Sequence, residues 1–205
     1  MADIRLIVGL GNIGAAYEAT RHNAGFWFVD LLADEYRANL ALETRFRGAV
    51  AKANIGGHSV WLLKPHTLMN LSGQAVAALT NFYKIAPDEI LVVHDELDML
   101  PGQAKLKKGG GVAGHNGLKD IRQRCGGDNF WRLRIGIGHP RELNSRQPVA
   151  DFVLRPPSQD DTNAIEDAMR AALPLVPQML GEDMREAMQS LHRAVGKPPA
   201  KPAAS

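Results

Sequence analysis

The sequence has little cysteine and no long apolar run. Its 205 residues include one cysteine, Cys125, which excludes an internal disulfide and a cysteine-rich metal site and fits a reducing compartment. No apolar stretch approaches the roughly 20 residues that span a bilayer. The first residues, MADIRLIVGL, contain no basic leader followed by a cleavage site. We therefore expect a cytoplasmic protein without a membrane association.

The sequence also lacks a large excess of either charge, but its charges are unevenly distributed. The formal net charge is +2. Residues 104–141 contain nine lysines and arginines against Asp120 and Asp128, whereas the rest of the chain has 15 basic and 20 acidic residues. Clustered cations gain free energy by displacing counterions from phosphates. This segment therefore indicates either a surface that faces a polyanion or a solvated basic face.

Strand and helix patterns alternate along the chain. Apolar and alternating runs predict strands at 4–10, 89–97 and 131–138, a hairpin around Gly56-Gly57, and an edge strand at 103–108. Apolar spacings of three and four and helix-like composition predict helices over 25–36, from Asn70 to before Pro87, over 114–125, and in 158–195 with breaks near Pro174, Pro177 and Gly181.

These elements predict an α/β fold. We expect a three-layer sandwich with a mixed, largely parallel twisted sheet flanked by helices. We assign residues 1–195 to a single domain and the Pro- and Ala-rich residues 196–205 to a disordered tail. Asn70 or Ser72 is the expected cap of the helix that follows them.

Residues 9–14, GLGNIG, match the G-x-G-x-x-G pattern of a dinucleotide-binding turn. In that class a helix begins directly after the glycines, and an acid ends the second strand about 20 residues further on. Here AAYEATRHNAG follows Gly14, and Asp30 and Asp34 lie within a helical stretch. The pattern is better explained by a tight turn that brings backbone amides and Asn12 to the carboxyl edge of the sheet. A nucleotide-dependent oxidoreductase is the weaker alternative.

Polar side chains from four distant segments are expected at that same edge. His22 follows the first strand in TRHNAG, and Asp95 closes the strand LVVHDELD. Asn70 begins a helix, and His115 and Asn116 follow the glycine-rich KKGGGVAG. Open α/β sheets bind their ligands at the carboxyl ends of the strands. We therefore expect the side chains of these four segments to share one rim.

This set of side chains suits hydrolysis by an activated water. A histidine with a pKa near 6.5 takes a proton from water at neutral pH, and a neighbouring carboxylate fixes its tautomer. Asparagine amides donate to a developing oxyanion. No serine or cysteine stands in a G-x-S-x-G turn, so direct attack by water is favoured over an acyl-enzyme.

Two other functions compete with this hypothesis. The segment HDELD, with His115, offers ligands for a metal, but alternate strand residues point to opposite faces and no second histidine stands at helical spacing. We therefore predict neither a metal nor a cofactor. A non-catalytic RNA-binding protein would use the basic segment alone, and phosphate binding would require none of the rim residues.

Six motifs, in order, resemble those of the bacterial peptidyl-tRNA hydrolase family. They are IVGLGNIG, TRHNAG, MNLSG, HDELD, KKGGGVAGHNGLKDI and RLRIGIGHP. The resemblance implies cleavage of the ester between a peptide, or an N-blocked amino acid, and the 3′ ribose of tRNA. This reaction recycles tRNA after abortive translation.

The resemblance also assigns roles to the rim residues. It implies that His22 is the general base and that Asp95 supports its basic form. Asn12 is similar to the family residue that recognises the substrate near the scissile bond. Asn70 and Asn116 resemble the side chains that hold the peptide backbone and the attacking water.

The remaining implied residues contact substrate or tRNA. Met69 shapes the cleft, and Tyr17 corresponds to a position of tRNA contact. Leu68 stands where the family commonly has an aromatic residue, and Ile13 where it usually has proline, so the resemblance does not extend to a stacking contact at Leu68 or to the rigidity of that turn. The candidates for binding acceptor-stem phosphates are Lys105, Lys107 and Arg134. We expect a monomer, since one rim and one basic face suffice for one tRNA end.

Overall fold

The structure, a computed structural model, describes residues 3–181 and 183–198. The strands of this part are β1 (Leu6–Gly9), β2 (Ala41–Glu43), β3 (Gly48–Ile55), β4 (His58–Pro65), β5 (Ile90–Glu96), β6 (Ala104–Lys108) and β7 (Trp131–Gly136). Its helices are α1 (Ala24–Glu35), α2 (Ser72–Tyr83), α3 (Asn116–Arg124), α4 (Val149–Val153), α5 (Gln159–Ala172), α6 (Val176–Leu180) and α7 (Met184–Val195).

All seven described strands form one mixed sheet in the order β2-β3-β4-β1-β5-β7-β6. The central strands β4, β1, β5 and β7 run parallel, whereas the pairings β2-β3, β3-β4 and β7-β6 are antiparallel. The predicted mixed sheet is confirmed, and its parallel part is confined to these four strands. Their carboxyl ends therefore meet at one edge of the sheet, as the rim hypothesis requires.

Apolar side chains cover both faces of the sheet. On one face Ile7 and Val93 belong to a core shared with α1, α5 and α7, and on the other Val8 belongs to a core shared with α2 and α3. Adjacent residues of β1 thus enter opposite cores because strand side chains alternate. Burying one such side chain stabilises the fold by roughly 1.5 to 3 kcal/mol. The three-layer α/β sandwich is confirmed.

The glycines after β1 allow close contact with α1. A Cβ on Gly9 would lie 2.3 Å from the carbonyl oxygen of Gly25, and one on Gly11 would lie 2.5 Å from the Phe26 ring. Gly14 has a φ of +112°, which disfavours a side chain. The first α-helix after these glycines begins only at Ala24. The motif therefore accommodates helix packing and a turn.

The predicted cap of α2 is wrong. A 3₁₀ turn, Met69–Leu71, precedes the helix, and neither Asn70 nor Ser72 makes a side-chain cap bond. Instead Gly73 N donates to Asp120 Oδ2 of α3 at 2.8 Å. A carboxylate 47 residues away in the chain supplies the acceptor, so the local sequence could not reveal it.

The predicted breaks in the carboxyl-terminal helical segment are confirmed. A turn at Leu173–Leu175 separates α5 from α6, and Pro177 lies in the first turn of α6, where its missing N–H is tolerated. Of the predicted tail 196–205, residues 199–205 lie outside the described residues.

Candidate active site

His22 and Asp95 meet at the carboxyl edge of the parallel strands. His22 lies in the 3₁₀ turn Arg21–Asn23 before α1, and Asp95 lies near the end of β5. His22 Nδ1 is 2.9 Å from Asp95 Oδ2. An ionised carboxylate only accepts, so Nδ1 carries the proton and Nε2 carries the lone pair. His22 is therefore held in the tautomer that a general base requires.

The electrostatics favour a basic His22. Burial lowers the pKa of His22, but the charge and the hydrogen bond of Asp95 outweigh burial and raise this pKa above its ordinary value of 6.5. Burial alone would raise the pKa of Asp95, yet the charges and hydrogen bonds of His22 and His115 hold it well below its ordinary range. Asp95 is thus an anion at neutral pH although its side chain is only 2% exposed.

A second histidine bonds the other oxygen of Asp95. His115 Nε2 lies 2.8 Å from Asp95 Oδ1, and its Nδ1 accepts from Leu118 N at 3.4 Å, capping α3. In the neutral tautomer that fits both bonds, the proton of His115 is on Nε2 and the lone pair is on Nδ1. We call His22, Asp95 and His115 the rim triad. Sequence reasoning placed His115 at the rim beside Asn116 and weighed it as a metal ligand, but it assigned His115 neither the bond to Asp95 nor the cap of α3.

The rim triad also bears on the metal alternative. One ligand atom from each of His22, Asp95 and His115 lies within 4.8 Å of the others. However, His22 Nδ1 and His115 Nε2 both donate to Asp95. Glu96, another residue of the proposed metal set, instead accepts from Arg134 Nε at 2.8 Å.

His94 contributes to the frame of the site. It is buried, its Nδ1 donates to the carbonyl oxygen of Asp95 at 2.8 Å, and its ring lies 5.3 Å from that of His115. Burial, followed by the charge of His115, lowers the pKa of His94 to about 3. His94 therefore stays neutral across the physiological range.

Asn12 joins two loops at the rim. Its Oδ1 accepts from Met69 N at 3.2 Å. Its backbone is held by Asn23: Asn12 N donates to Asn23 Oδ1 at 2.8 Å, and Asn23 Nδ2 donates to Asn12 O at 2.9 Å. Because Oδ1 is engaged within the protein, the Nδ2 group is the part of the Asn12 amide that is left to donate to a ligand. Sequence reasoning missed Asn23, which is buried.

Two cavities share the rim. One, of about 430 Å³, is lined by His22, Asp95, His115 and Asn116, and the other, of about 400 Å³, by Asn12 and Asn23. The structure thus brings His22, Asp95 and Asn116 together and places Asn12 beside them.

The other residues predicted to contact the substrate lie around His22, Asp95 and Asn116, and their exposure differs. Asn70 is exposed beside Met69, and Met69 is buried next to the start of α3, since a Cβ on Gly117 would lie 2.7 Å from its Sδ. Leu68 is 68% exposed and Tyr17 is 38% exposed. Neither of these two side chains lines the two rim cavities.

The predicted phosphate ligands lie on the strands beyond β5. Lys105 is opposite Arg134, and Lys107 is opposite Arg132, so the four share one face of the β6-β7 pair. We call these four residues the basic strip. Lys107 is exposed, whereas Arg132 is buried and donates to Gly109 O at 3.0 Å. Arg132 was not singled out from the sequence, although its spacing from Arg134 places both on one face.

None of the helices in the described residues is both long and apolar enough to cross a membrane.

The sheet, the histidine–carboxylate pair and the asparagines around it define an α/β enzyme of the hydrolase class.

Comparison with known proteins identifies the family. The family model for peptidyl-tRNA hydrolase matches residues 6–199. A peptidyl-tRNA hydrolase from Bordetella petrii is 61% identical over 94% of this chain and 92% of its own length, and one from Variovorax paradoxus is 54% identical over 96% and 91%. The crystal structure of a peptidyl-tRNA hydrolase from Acinetobacter baumannii superposes with a TM-score of 0.90 at 47% identity, over 96% of this chain and 98% of that one. The chain belongs to the peptidyl-tRNA hydrolase family.

Proposed function

We infer that this member of the family hydrolyses peptidyl-tRNA at the ester that joins the peptide to the 3′ ribose, with His22 activating the water. The observation that carries this inference is the bond between His22 Nδ1 and Asp95 Oδ2 at 2.9 Å. It leaves the basic Nε2 of a partly exposed histidine at a cavity that Asn116 also lines. No cofactor enters the reaction.

The reaction follows from the tautomer of His22. Nε2 takes a proton from water as the oxygen attacks the ester carbonyl carbon, and Asp95 stabilises the imidazolium that forms. Amide groups of Asn12, Asn70 and Asn116 orient the water and the peptide carbonyl, and they donate to the oxyanion. Collapse of the tetrahedral intermediate breaks the bond to the ribose O3′, which receives the proton from Nε2. The products are a free peptide acid and a tRNA with an intact 3′ hydroxyl.

The basic strip supports binding of the tRNA acceptor stem. Lys105, Lys107 and Arg134 offer cations to backbone phosphates, which carry no sequence information and therefore suit an enzyme that serves every tRNA. Tyr17 contributes a further exposed contact. The rim and the strip belong to the same chain, so we propose that a monomer suffices.

The test is hydrolysis of two labelled substrates. The protein is incubated with N-acetyl-aminoacyl-tRNA and with the same aminoacyl-tRNA left unblocked, and the released acid is measured. We expect rapid hydrolysis of the blocked substrate and little of the unblocked one. Equal inertness toward both substrates would contradict the proposed function. If Asn12 recognises the blocked end, the variant Asn12→Ala should lower the ratio of the hydrolysis rate of the blocked substrate to that of the unblocked one.

A further inference from the structure

Arg21, the residue before His22, has a buried side chain. Both residues belong to the 3₁₀ turn Arg21–Asn23, but Arg21 is only 8% exposed. Arginine is almost never buried to this extent in folded proteins unless its charge is paired. None of the proton transfers at His22 requires a cation at this position, so the burial of Arg21 needs another explanation.

The guanidinium of Arg21 binds the carboxyl end of α4. Nη1 donates to Phe152 O at 2.9 Å and to Arg155 O at 3.2 Å, and Cζ lies 3.8 Å from the centre of the Phe152 ring. The backbone takes part as well, since Arg21 N donates to Arg155 O at 3.1 Å. We call these contacts the Arg21 clamp. The clamp joins the turn that carries His22 to a residue 131 positions further along the chain.

The Arg21 clamp holds this turn beside the wall of the catalytic cavity. Three side chains of α4 line the cavity of about 430 Å³ that His22 also lines: Val149, Ala150 and Val153. On the other side of His22, Asn23 bonds the backbone of Asn12. The two chain neighbours of His22 are therefore anchored to different parts of the fold. The place of the imidazole relative to Asp95 depends on both anchors.

The charge of Arg21 does not stabilise the fold. Burial lowers the pKa of Arg21, and the charge of Asp161 offsets this effect only in part. A lowered pKa means that the folded protein disfavours the protonated guanidinium relative to water. Within the part of the chain that the structure describes, carbonyl oxygens accept from Arg21 and no carboxylate forms an ion pair with it. Since an apolar side chain would be less costly to bury, the gain from this arginine lies in geometry.

We propose that Arg21 is a positioning residue for the general base: its clamp on α4 sets the place of His22 relative to Asp95 and to the cavity. The inference rests on the proposed function, since it takes His22 as the base. Arg21 acts through His22 and not on the reacting atoms. A guanidinium suits this task because it bonds carbonyl oxygens and contacts an aromatic ring at the same time, which a lysine ammonium reproduces poorly.

The first experiment separates kcat from stability. Arg21→Met keeps an unbranched side chain but removes the donors and the charge. Both carbonyl oxygens of the clamp keep a backbone donor in this variant, since Arg155 N donates to Phe152 O and Arg21 N donates to Arg155 O. We expect kcat to fall about tenfold, because small displacements of a reacting group are costly. KM should change little, and Tm should stay the same or rise because a buried charge is removed.

Arg155→Met is the matched control for this variant. It makes the same chemical change at an exposed position, and the clamp uses only the carbonyl oxygen of Arg155. In the control, kcat and Tm should remain the same. An unchanged kcat in Arg21→Met would overturn the inference, and so would a loss of kcat that disappears at temperatures where the variant is fully folded.

The second experiment reports on the place of His22 without any turnover. The pKa of the His22 ring is measured by NMR titration in the unsubstituted protein, in Arg21→Met and in Arg155→Met. Loss of a neighbouring cation by itself would raise this pKa, whereas a His22 that moves away from Asp95 loses the charge that raises it. We therefore expect a lower pKa in Arg21→Met and no change in Arg155→Met. An equal or higher pKa in Arg21→Met would overturn the inference.

The two proposals fail in different ways. If the unsubstituted enzyme hydrolyses neither labelled substrate, the proposed function is contradicted. The titration does not depend on hydrolysis, so its result still decides whether Arg21 sets the place of His22.

Discussion

Asp95 of the rim triad and Lys107 of the basic strip place charge in opposite environments. Asp95 is almost completely buried, and both of its oxygens accept a hydrogen bond from a histidine. In the basic strip Lys107 is exposed and Lys105 half-buried, while Arg134 bonds Glu96. A buried charge interacts strongly and directionally with its neighbours, whereas an exposed cation is screened by salt.

Because of this difference, the residues of the rim triad act on the chemical step, whereas the residues of the basic strip act on the affinity for tRNA. The hydrogen bonds of the rim triad fix which nitrogen of His22 carries a proton, and they act on the reacting atoms. The exposed Lys107 of the strip fixes no geometry, but it gains binding free energy wherever a phosphate displaces counterions. Substitutions in the triad should therefore change kcat, and substitutions in the strip should change KM and its dependence on salt.

The largest expected effect is that of His22→Ala. Loss of the general base should lower kcat by about 10³, since general base catalysis typically contributes 10²–10⁴. The Kd for tRNA should remain the same because the strip is intact. Single-turnover hydrolysis and filter binding measure the two quantities. A near-normal rate in this variant would mean that another group is the base.

A smaller effect is expected at His115, where two variants separate its two bonds. His115→Gln keeps an amide that can reach Asp95, whereas His115→Asn keeps an acceptor for Leu118 N and loses the reach to Asp95. We expect kcat to fall about tenfold for His115→Asn and clearly less for His115→Gln, because a hydrogen bond to a charged group contributes about 1.5 to 3 kcal/mol.

KM should change little in both variants, since neither alters the strip. Equal losses of kcat in the two variants would show that the bond to Asp95 does not matter. Thermal unfolding of the two proteins controls for the loss of the α3 cap.

The smallest expected effect is that of Lys107→Ala. Removal of one phosphate contact should weaken tRNA binding and reduce the slope of log Kd against log salt by about one, while kcat stays unchanged. Lys52→Ala is the matched control, since Lys52 is exposed on β3, which four strands separate from β6. An unaltered salt slope in Lys107→Ala would remove this residue from the phosphate site.

The sequence predicts those parts of the site that local pattern determines. Buried apolar runs locate β1 and β5, and the parallel order places His22, which follows β1, and Asp95, near the end of β5, at one edge. Alternation along β6 and β7 likewise puts Lys105 and Arg134 on exposed or half-buried positions of one face. These predictions depend on the period of a strand and on little else.

The rest of the site depends on contacts between distant residues. His115 reaches Asp95 across 20 positions, Asn23 holds the backbone of Asn12, and Asp120 caps α2 in place of Asn70 or Ser72. None of these partners is indicated by spacing or composition, because tertiary packing brings them together. The short strand β2, exposed along its length, also has no periodic signal.

The central claim is that Asp95 makes His22 a stronger base, and an NMR titration of the His22 ring tests it most directly. The ring is titrated in the unsubstituted protein and in Asp95→Asn, alongside the pH dependence of kcat/KM. We predict a pKa above 6.5 in the unsubstituted protein, with kcat/KM rising through that pH as His22 loses its proton. In Asp95→Asn the pKa should fall, because the charge that stabilised the imidazolium is gone. An unchanged or higher pKa in Asp95→Asn would contradict the account.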